Sequence, residues 1–175
     1  MARRLREPRP LSAPIKLLLR SPLLLYRAGL GQLLGSRFLL LEHIGRNSGR
    51  IRRTVLEVVQ HERSTDVFYV AVGFGPRSDW YRNLLADPDC IIQVGRRRSR
   101  RRARVLPAAE GAELMARYAR RHPRAARALM RMMGFEVDGS EADYRDVAGR
   151  LGLEFVALEP RGRGAAGPAR GRVRG

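Results

Sequence analysis

Cysteine and histidine are scarce in this 175-residue chain, which has one cysteine and three histidines. A single thiol cannot form an internal disulfide, a redox thiol pair or a cysteine-based zinc site. His43, His61 and His122 are far apart in the sequence and lack the spacing of metal ligands, so we predict no metal site. Cys90 is interpreted as a small buried hydrophobe.

Acidic residues are also scarce, with 17 against 35 basic residues and a formal net charge of +18. Such a surface attracts anionic ligands, anionic lipid and nucleic acid. The densest arginines lie in residues 96–104, where no aromatic residue offers a surface for base stacking, so no specific nucleic-acid site is predicted. We interpret this run as the exposed edge of a sheet, which charge protects from pairing with other chains.

Long uninterrupted apolar runs are absent. A membrane-spanning helix needs roughly 20 mostly apolar residues, whereas the leucine-rich segment 15–36 is interrupted by Lys16, Arg20, Pro22 and Arg27. We predict an amphipathic helix over 15–36 that either packs on the rest of the domain or lies on an anionic membrane surface. The predicted location is the cytoplasm, with peripheral contact at the inner face of the cell membrane as an open alternative.

The chain is long enough for one domain with a hydrophobic core, which we assign to residues 37–160. Segment 1–14 is basic and interrupted by proline, and we predict that it is mobile. Segment 161–175 is rich in arginine and glycine, and we predict a disordered tail.

Six segments have the short apolar pattern of β-strands, and four have a helical pattern. The predicted strands are 39–43, 54–60, 67–72, 90–94, 99–106 and 153–158. The predicted helices begin at 78, cover 107–122 and 123–133, and cover 140–149. Several strands are joined by tight turns, and the helices lie at the ends and in one insertion. This pattern favours a mainly β fold, an antiparallel barrel decorated by helices.

The turn between the first two strands has the composition of an anion-binding site. It reads Gly-Arg-Asn-Ser-Gly-Arg over residues 45–50. Its two glycines permit positive φ and let backbone N–H groups approach a ligand, while the arginines supply positive charge. The turn therefore suits a bound phosphate, although the pattern alone is also typical of an ordinary hairpin.

Three motifs in this order resemble the deazaflavin-dependent nitroreductase family, which includes quinone reductases. They are Leu-Glu-His-Ile-Gly-Arg-Asn-Ser-Gly-Arg at 41–50, Val-Ala-Val-Gly at 70–73, and Trp-Tyr-Arg-Asn-Leu at 80–84 followed by Ala-Asp-Pro at 86–88. The resemblance extends to residues 158–160 and so covers most of the chain. It implies a split β-barrel of the flavin-binding oxidase-like type, with coenzyme F-420 (F420) as cofactor.

The resemblance also implies three groups of cofactor-binding residues. The turn and the next strand would hold the phosphate, the end of the third strand would lie against the deazaflavin ring, and the following helix start would flank the cofactor. The phosphate contacts would be Arg46, Asn47, Ser48, Arg52, Arg53 and Thr54. The ring contacts would be Ala71, Gly73 and Phe74. The residues that flank the cofactor would be Asp79, Trp80, Tyr81 and Asn83. Family members commonly have lysine where this chain has Asn47, which shifts the expected charge contact toward Arg50 or Arg52.

The implied function is an oxidoreductase that transfers a hydride from reduced F420 to an electron-poor small molecule: a quinone, a nitro compound or another conjugated acceptor. No catalytic acid or base is predicted, because the cofactor carries the chemistry. The identity of the electron acceptor is not carried over from the family, because residues 122–128 lack the tyrosines of nitro-reducing family members. Two alternatives stay open: an FMN-binding split-barrel protein, and a non-catalytic cationic protein that binds nucleic acid or membrane. An oligomer is also compatible with the sequence.

Overall fold

The structure is a computed structural model that describes residues 2–4 and 37–161. The strands are β1 (Arg3–Arg4), β2 (Phe38–Ile44), β3 (Ile51–Glu62), β4 (Val67–Ala71), β5 (Asp89–Val94), β6 (Arg97–Val105), β7 (Phe135–Glu136) and β8 (Phe155–Pro160). The helices are α1 (Asp79–Ala86), α2 (Ala108–Arg121), α3 (Pro123–Met132) and α4 (Glu141–Gly149). The predicted helix over 15–36, residues 5–14 of the basic segment and residues 162–175 of the tail lie outside the described residues.

Six of the strands form a closed barrel in the order β2-β3-β4-β8-β6-β5, and every neighbouring pair is antiparallel. Strand β2 closes the barrel because it pairs with β3 along its whole length and with β5 through Leu40–Glu42. These are the six predicted strands, with ends that differ by at most three residues. The predicted antiparallel barrel decorated by helices is confirmed.

Apolar side chains fill the barrel because alternate residues of a strand point to the same face. Leu39 and Leu41 of β2 are fully buried there, together with residues of β4, β5 and β8. Helix α1 packs against the same core through Tyr81 and Leu84. Because the alternation of β2 continues, the next position on this face is His43, which is also buried.

The interpretation of residues 96–104 as a sheet edge is wrong. Strand β6 pairs with β5 on one side and with β8 on the other, so it has no free edge. Its arginines instead form ion pairs with carboxylates of neighbouring strands and helices, for example Arg98 with Glu42 and Arg104 with Glu159. The acidic partners of these arginines come from other segments of the chain, so the run of positive charge alone does not reveal them.

One of these arginines is buried in what we call the Asp66 cluster: Asp66, His61, Arg97 and Arg101. Arg101 is 1% exposed and donates to the Asp66 carboxylate over 2.8 Å, and Arg97 donates to the same carboxylate over 2.8 Å. Burial alone would raise the pKa of Asp66, but hydrogen bonds from Arg101 and His61 outweigh it and lower the pKa to about 2. The cluster joins the β3–β4 turn to β6.

A second core lies between the barrel and helices α2, α3 and α4. Helix α4 begins as predicted, because the Ser140 hydroxyl accepts a hydrogen bond of 3.2 Å from the backbone N–H of Asp143. The pairing of β1 with β7 was not predicted. Among residues 2–4 and 37–161, no helix is both long and apolar enough to cross a membrane.

Candidate functional site

The β2–β3 turn (residues 45–50) is closed by its own backbone. The N–H of Gly45 donates to the carbonyl of Arg50 over 2.9 Å, and the N–H of Gly49 donates to the carbonyl of Gly45 over 2.8 Å. Gly49 has a φ of 63°, as the sequence led us to expect, whereas Gly45 does not have a positive φ. Gly45 is required for space instead, because a Cβ there would lie 2.8 Å from the Ser48 hydroxyl oxygen.

Arg46 ties this turn to helix α1. Its backbone N–H donates to the Asn83 side-chain oxygen over 3.0 Å, and its guanidinium donates to the same oxygen over 2.9 Å. The guanidinium also pairs with Asp79 over 3.0 Å. Asp79 is 84% exposed, so this ion pair contributes little. The contact with Asn83 is the stronger constraint because Asn83 is buried.

A cavity of about 490 Å³ opens between the turn and α1. Nine of the thirteen predicted cofactor-binding residues line it: Arg46, Asn47, Ser48, Arg52, Arg53, Thr54, Asp79, Trp80 and Asn83. The cavity reaches from the turn to the Trp80 indole. The fold thus brings the predicted phosphate contacts and the helix start to one opening.

The predicted ring contacts lie apart from that cavity. Ala71, Gly73 and Phe74 line a second cavity of about 90 Å³, which shares only Trp80 with the first. The space above Gly73 holds the Met133 side chain, whose Cε lies 2.7 Å from where a Cβ of residue 73 would be. Ring contacts at these three residues therefore stay a prediction, and a bound ring there requires Met133 to move.

Tyr81 lines neither of these two cavities. Its side chain is buried in the barrel core, and its hydroxyl donates to the Glu154 carboxylate over 2.8 Å. Burial and this contact raise the pKa of Tyr81 to about 12. A role in cofactor contact stays a prediction for Tyr81.

His43 and Gly45 line the 490 Å³ cavity but were not predicted as site residues. The ring of His43 is buried, and its Nδ1 lies 3.1 Å from the Asn83 side-chain nitrogen. Burial is the largest influence on the pKa of His43 and lowers it. The alternation of Leu39, Leu41 and His43 is the sequence signal that places this ring at the inner face of β2.

The family model for F420H(2)-dependent quinone reductases matches residues 25–132, more than half of the chain. The chain belongs to this family. The resemblance to deazaflavin-dependent reductases is thereby confirmed, and the cofactor of this family of oxidoreductases is F420. The narrower assignment to nitroreductases stays a prediction.

The chain is also similar to individual proteins. A putative F420H(2)-dependent quinone reductase of Mycobacterium tuberculosis is 38% identical over 79 residues, which are 45% of this chain and 66% of that protein, just under two thirds. The structure of an F420-H2-dependent reductase, FDR-A, is 20% identical with a TM-score of 0.49, covering 70% of this chain and 94% of that one.

A structure described as a domain-swapped dimer is 19% identical with a TM-score of 0.51, covering 84% of this chain and 100% of that one. A likeness at this identity shows the fold alone. The predicted split β-barrel of the flavin-binding oxidase-like type is confirmed.

The residues at the β2–β3 turn fit the anionic part of the family's cofactor. The backbone N–H of Asn47 has no hydrogen-bond partner within residues 37–161, and the side chains of Asn47 and Ser48 are exposed. Arg52 is exposed and contacts only the Ser48 hydroxyl, at 3.5 Å, with no carboxylate partner in the described part of the chain. Free N–H and guanidinium donors of this kind bind phosphate.

Arg53 differs from Arg52 although both line the cavity. Its guanidinium donates to the Glu42 carboxylate over 2.7 Å, and Glu42 also accepts from Arg98. Burial would raise the pKa of Glu42, but the bonds from Arg53 and Arg98 outweigh it and the pKa is lowered. Arg53 therefore has a charged partner already, whereas Arg52 keeps its charge available.

Proposed function

We propose that this chain binds F420 in the 490 Å³ cavity, with the phosphate of the cofactor at the β2–β3 turn, and uses it to reduce a quinone. One observation carries the proposal: a single opening is lined by Asn47, whose backbone N–H has no hydrogen-bond partner in the described residues, by Arg52, which has no carboxylate partner there, and by Trp80. An anionic cofactor with an aromatic ring needs a cationic end and an apolar surface within one site.

The cationic end is built around Arg52. A charge-assisted hydrogen bond contributes roughly 1.5–3 kcal/mol, and no carboxylate of residues 2–4 or 37–161 pairs with Arg52 and would have to be released before it binds an anion. Asn47 contributes its backbone N–H, and the Ser48 hydroxyl lies beside it. Arg46 supports the site rather than forming the main anion contact, because its guanidinium already donates hydrogen bonds to Asn83 and Asp79.

The chemistry resides in the cofactor. Reduced F420, when bound, would supply a hydride that together with one proton from solvent converts a quinone to a quinol, and the oxidised cofactor would return one proton to solvent. Trp80 lines the same cavity and supplies an aromatic side chain to it, and Thr54 is a further lining residue. The protein binds and orients the reactants, and no side chain is assigned as acid or base.

The family description and the name of the mycobacterial relative support a quinone as acceptor. Nitro compounds and other conjugated acceptors are alternatives that the same assay tests. A cytoplasmic location, peripheral membrane contact by residues 15–36 and an oligomer stay predictions.

Fluorescence titration with F420 and with FMN tests the binding step. We expect saturable binding of F420 and weaker binding of FMN. Arg52→Ala should weaken F420 binding roughly 10- to 100-fold, the loss of one charge-assisted contact. Arg102→Ala is the matched control, because it removes the same charge from an exposed position outside the cavity.

Oxidation of reduced F420 by the quinone menadione tests the reaction, with a nitroaromatic compound in parallel. Tighter binding of FMN than of F420 would favour the FMN alternative. Absence of F420 binding, together with binding to DNA or anionic vesicles that weakens steeply with salt, would favour the non-catalytic alternative.

A further inference from the structure

We propose that His43 is a positioning residue: acting through Asn83, it holds the β2–β3 turn in the conformation that binds the phosphate of the cofactor. This inference rests on the proposed function. It concerns a residue whose side chain is bonded to the Asn83 side chain, and it changes the role of Asn83 from a cofactor contact to a structural link.

The hydrogen bonds fix the orientation of the Asn83 amide. Its oxygen lies 3.0 Å from the backbone nitrogen of Arg46 and 2.9 Å from the Arg46 guanidinium. Both groups of Arg46 are donors only, so the amide oxygen must face them. The amide nitrogen therefore faces His43, whose Nδ1 lies 3.1 Å away.

This orientation determines the state of the imidazole. An amide nitrogen donates, so Nδ1 of His43 must accept, which requires a neutral ring that carries its proton on Nε2. Burial lowers the pKa of His43 and favours that neutral state. A hydrogen bond with the Ile44 backbone and the charge of Asp79 on α1 raise the pKa, whereas the charge of Arg52 on β3 lowers it further. Arg46 and Arg53 also line the 490 Å³ cavity with His43. A cavity of about 680 Å³ that His43 also lines has further charged residues: Glu42, Asp87, Asp89, Arg98, Arg100 and Arg161.

Asn83 has little capacity left for a ligand. Its oxygen accepts two hydrogen bonds, its nitrogen donates one, and the residue is 4% exposed. If the imidazole were protonated or absent, Asn83 would lose its acceptor and no longer be held toward Arg46. The Arg46 N–H would then be released, and the neighbouring Asn47 N–H would lose its fixed direction.

Substitution of His43 by leucine tests the link. His43→Leu should weaken F420 binding about tenfold, in line with the loss of one to two buried hydrogen bonds, and should increase hydrogen exchange at the Arg46 amide. His43→Gln restores an acceptor and should recover most of both. His61→Leu is the matched control: it removes an imidazole that is bonded to Asp66 outside the cavity, so it should change neither property.

The pH profile gives a further readout. Wild-type affinity for F420 should fall at acid pH as His43 becomes protonated, and this fall should be absent in His43→Gln. Nitrogen NMR of the wild-type protein should show His43 as the neutral form protonated on Nε2. This measurement needs no variant, so it tests whether Nδ1 of His43 can accept from Asn83 even if His43→Leu does not fold.

Wild-type affinity and wild-type Arg46 exchange in His43→Leu would overturn the inference, as would a His43 ring protonated on Nδ1. Failure of the wild-type protein to bind F420 would instead count against the proposed function. In that case the Arg46 exchange measurement still tests whether His43 holds the turn.

Discussion

Two arginine-rich regions of this barrel differ in what surrounds each guanidinium. In the Asp66 cluster, Arg101 is 1% exposed and both Arg97 and Arg101 donate to one carboxylate. At the β2–β3 turn, Arg52 is exposed and has no carboxylate partner in the described residues. The first arrangement contributes to stability, and the second leaves charge available for an anionic ligand.

The difference shows that arginine density is a poor guide to function in a chain with a net charge of +18. The densest run, in β6, is mostly neutralised by neighbouring carboxylates. The turn and the start of β3 have fewer arginines, but Arg50 and Arg52 have no carboxylate partner in the described residues, and the Asn47 backbone N–H has no hydrogen-bond partner there. The pairing of each charge, more than the number of charges, distinguishes the Asp66 cluster from the proposed binding region at the turn.

Replacement of Arg101 should have the largest effect on stability. Arg101→Met leaves Asp66 without its buried partner, so we expect a loss of about 3–5 kcal/mol in the free energy of unfolding, measured by urea denaturation. Arg100→Met is the control on the same strand, because Arg100 is exposed and should change stability by less than about 0.5 kcal/mol. Weaker F420 binding by folded Arg101→Met would show that the Asp66 cluster also affects cofactor binding.

Lowering the pH should remove a smaller part of the stability that the Asp66 cluster provides. The pKa of Asp66 is about 2 in the folded protein against an ordinary 3.8, so its stabilisation is complete above the ordinary value and is lost as pH falls toward the folded value. The difference corresponds to roughly 2 kcal/mol. Urea unfolding of wild type and Asp66→Asn between about pH 5 and about pH 2 isolates this contribution. Parallel stability curves for the two proteins would contradict it.

Alanine variants of two glycines in hairpin turns distinguish an effect on F420 binding from an effect on stability. Gly49 in the β2–β3 turn and Gly95 between β5 and β6 both have positive φ, and neither has an atom within 4 Å of an added Cβ. Alanine at either position should therefore cost roughly 1 kcal/mol of stability through backbone strain. Only Gly49→Ala should also weaken F420 binding, several-fold, by calorimetric titration. Equal affinity of both variants would show that the turn does not bind the cofactor.

Salt should produce the smallest effect. Raising ionic strength from about 0.05 M to about 0.5 M screens exposed charges such as Arg52 and should weaken F420 binding a few-fold. The contribution of the buried Arg101 to stability, taken as the difference between wild type and Arg101→Met, should change much less over the same range. A salt-independent affinity would show that Arg52 does not contact the phosphate.

The barrel could be predicted because most of its strands are short apolar segments and tight turns join several of them. The glycines and arginines at 45–50 were the basis for predicting an anion site there, and that site stays a prediction. The environment of β6 could not, since the partners of its arginines are remote in sequence: Asp66 lies 35 positions from Arg101. The link from His43 to Asn83 spans 40 positions, and no local pattern indicates it.

The single thiol of the chain, Cys90, is enclosed in the barrel interior, and burial raises its pKa to about 12. A maleimide reagent needs both access and thiolate, so the intact barrel should resist alkylation. Because no other cysteine competes for the reagent, each modified molecule records one opening of the barrel. The rate of Cys90 alkylation should therefore report how often the barrel opens, without an engineered label.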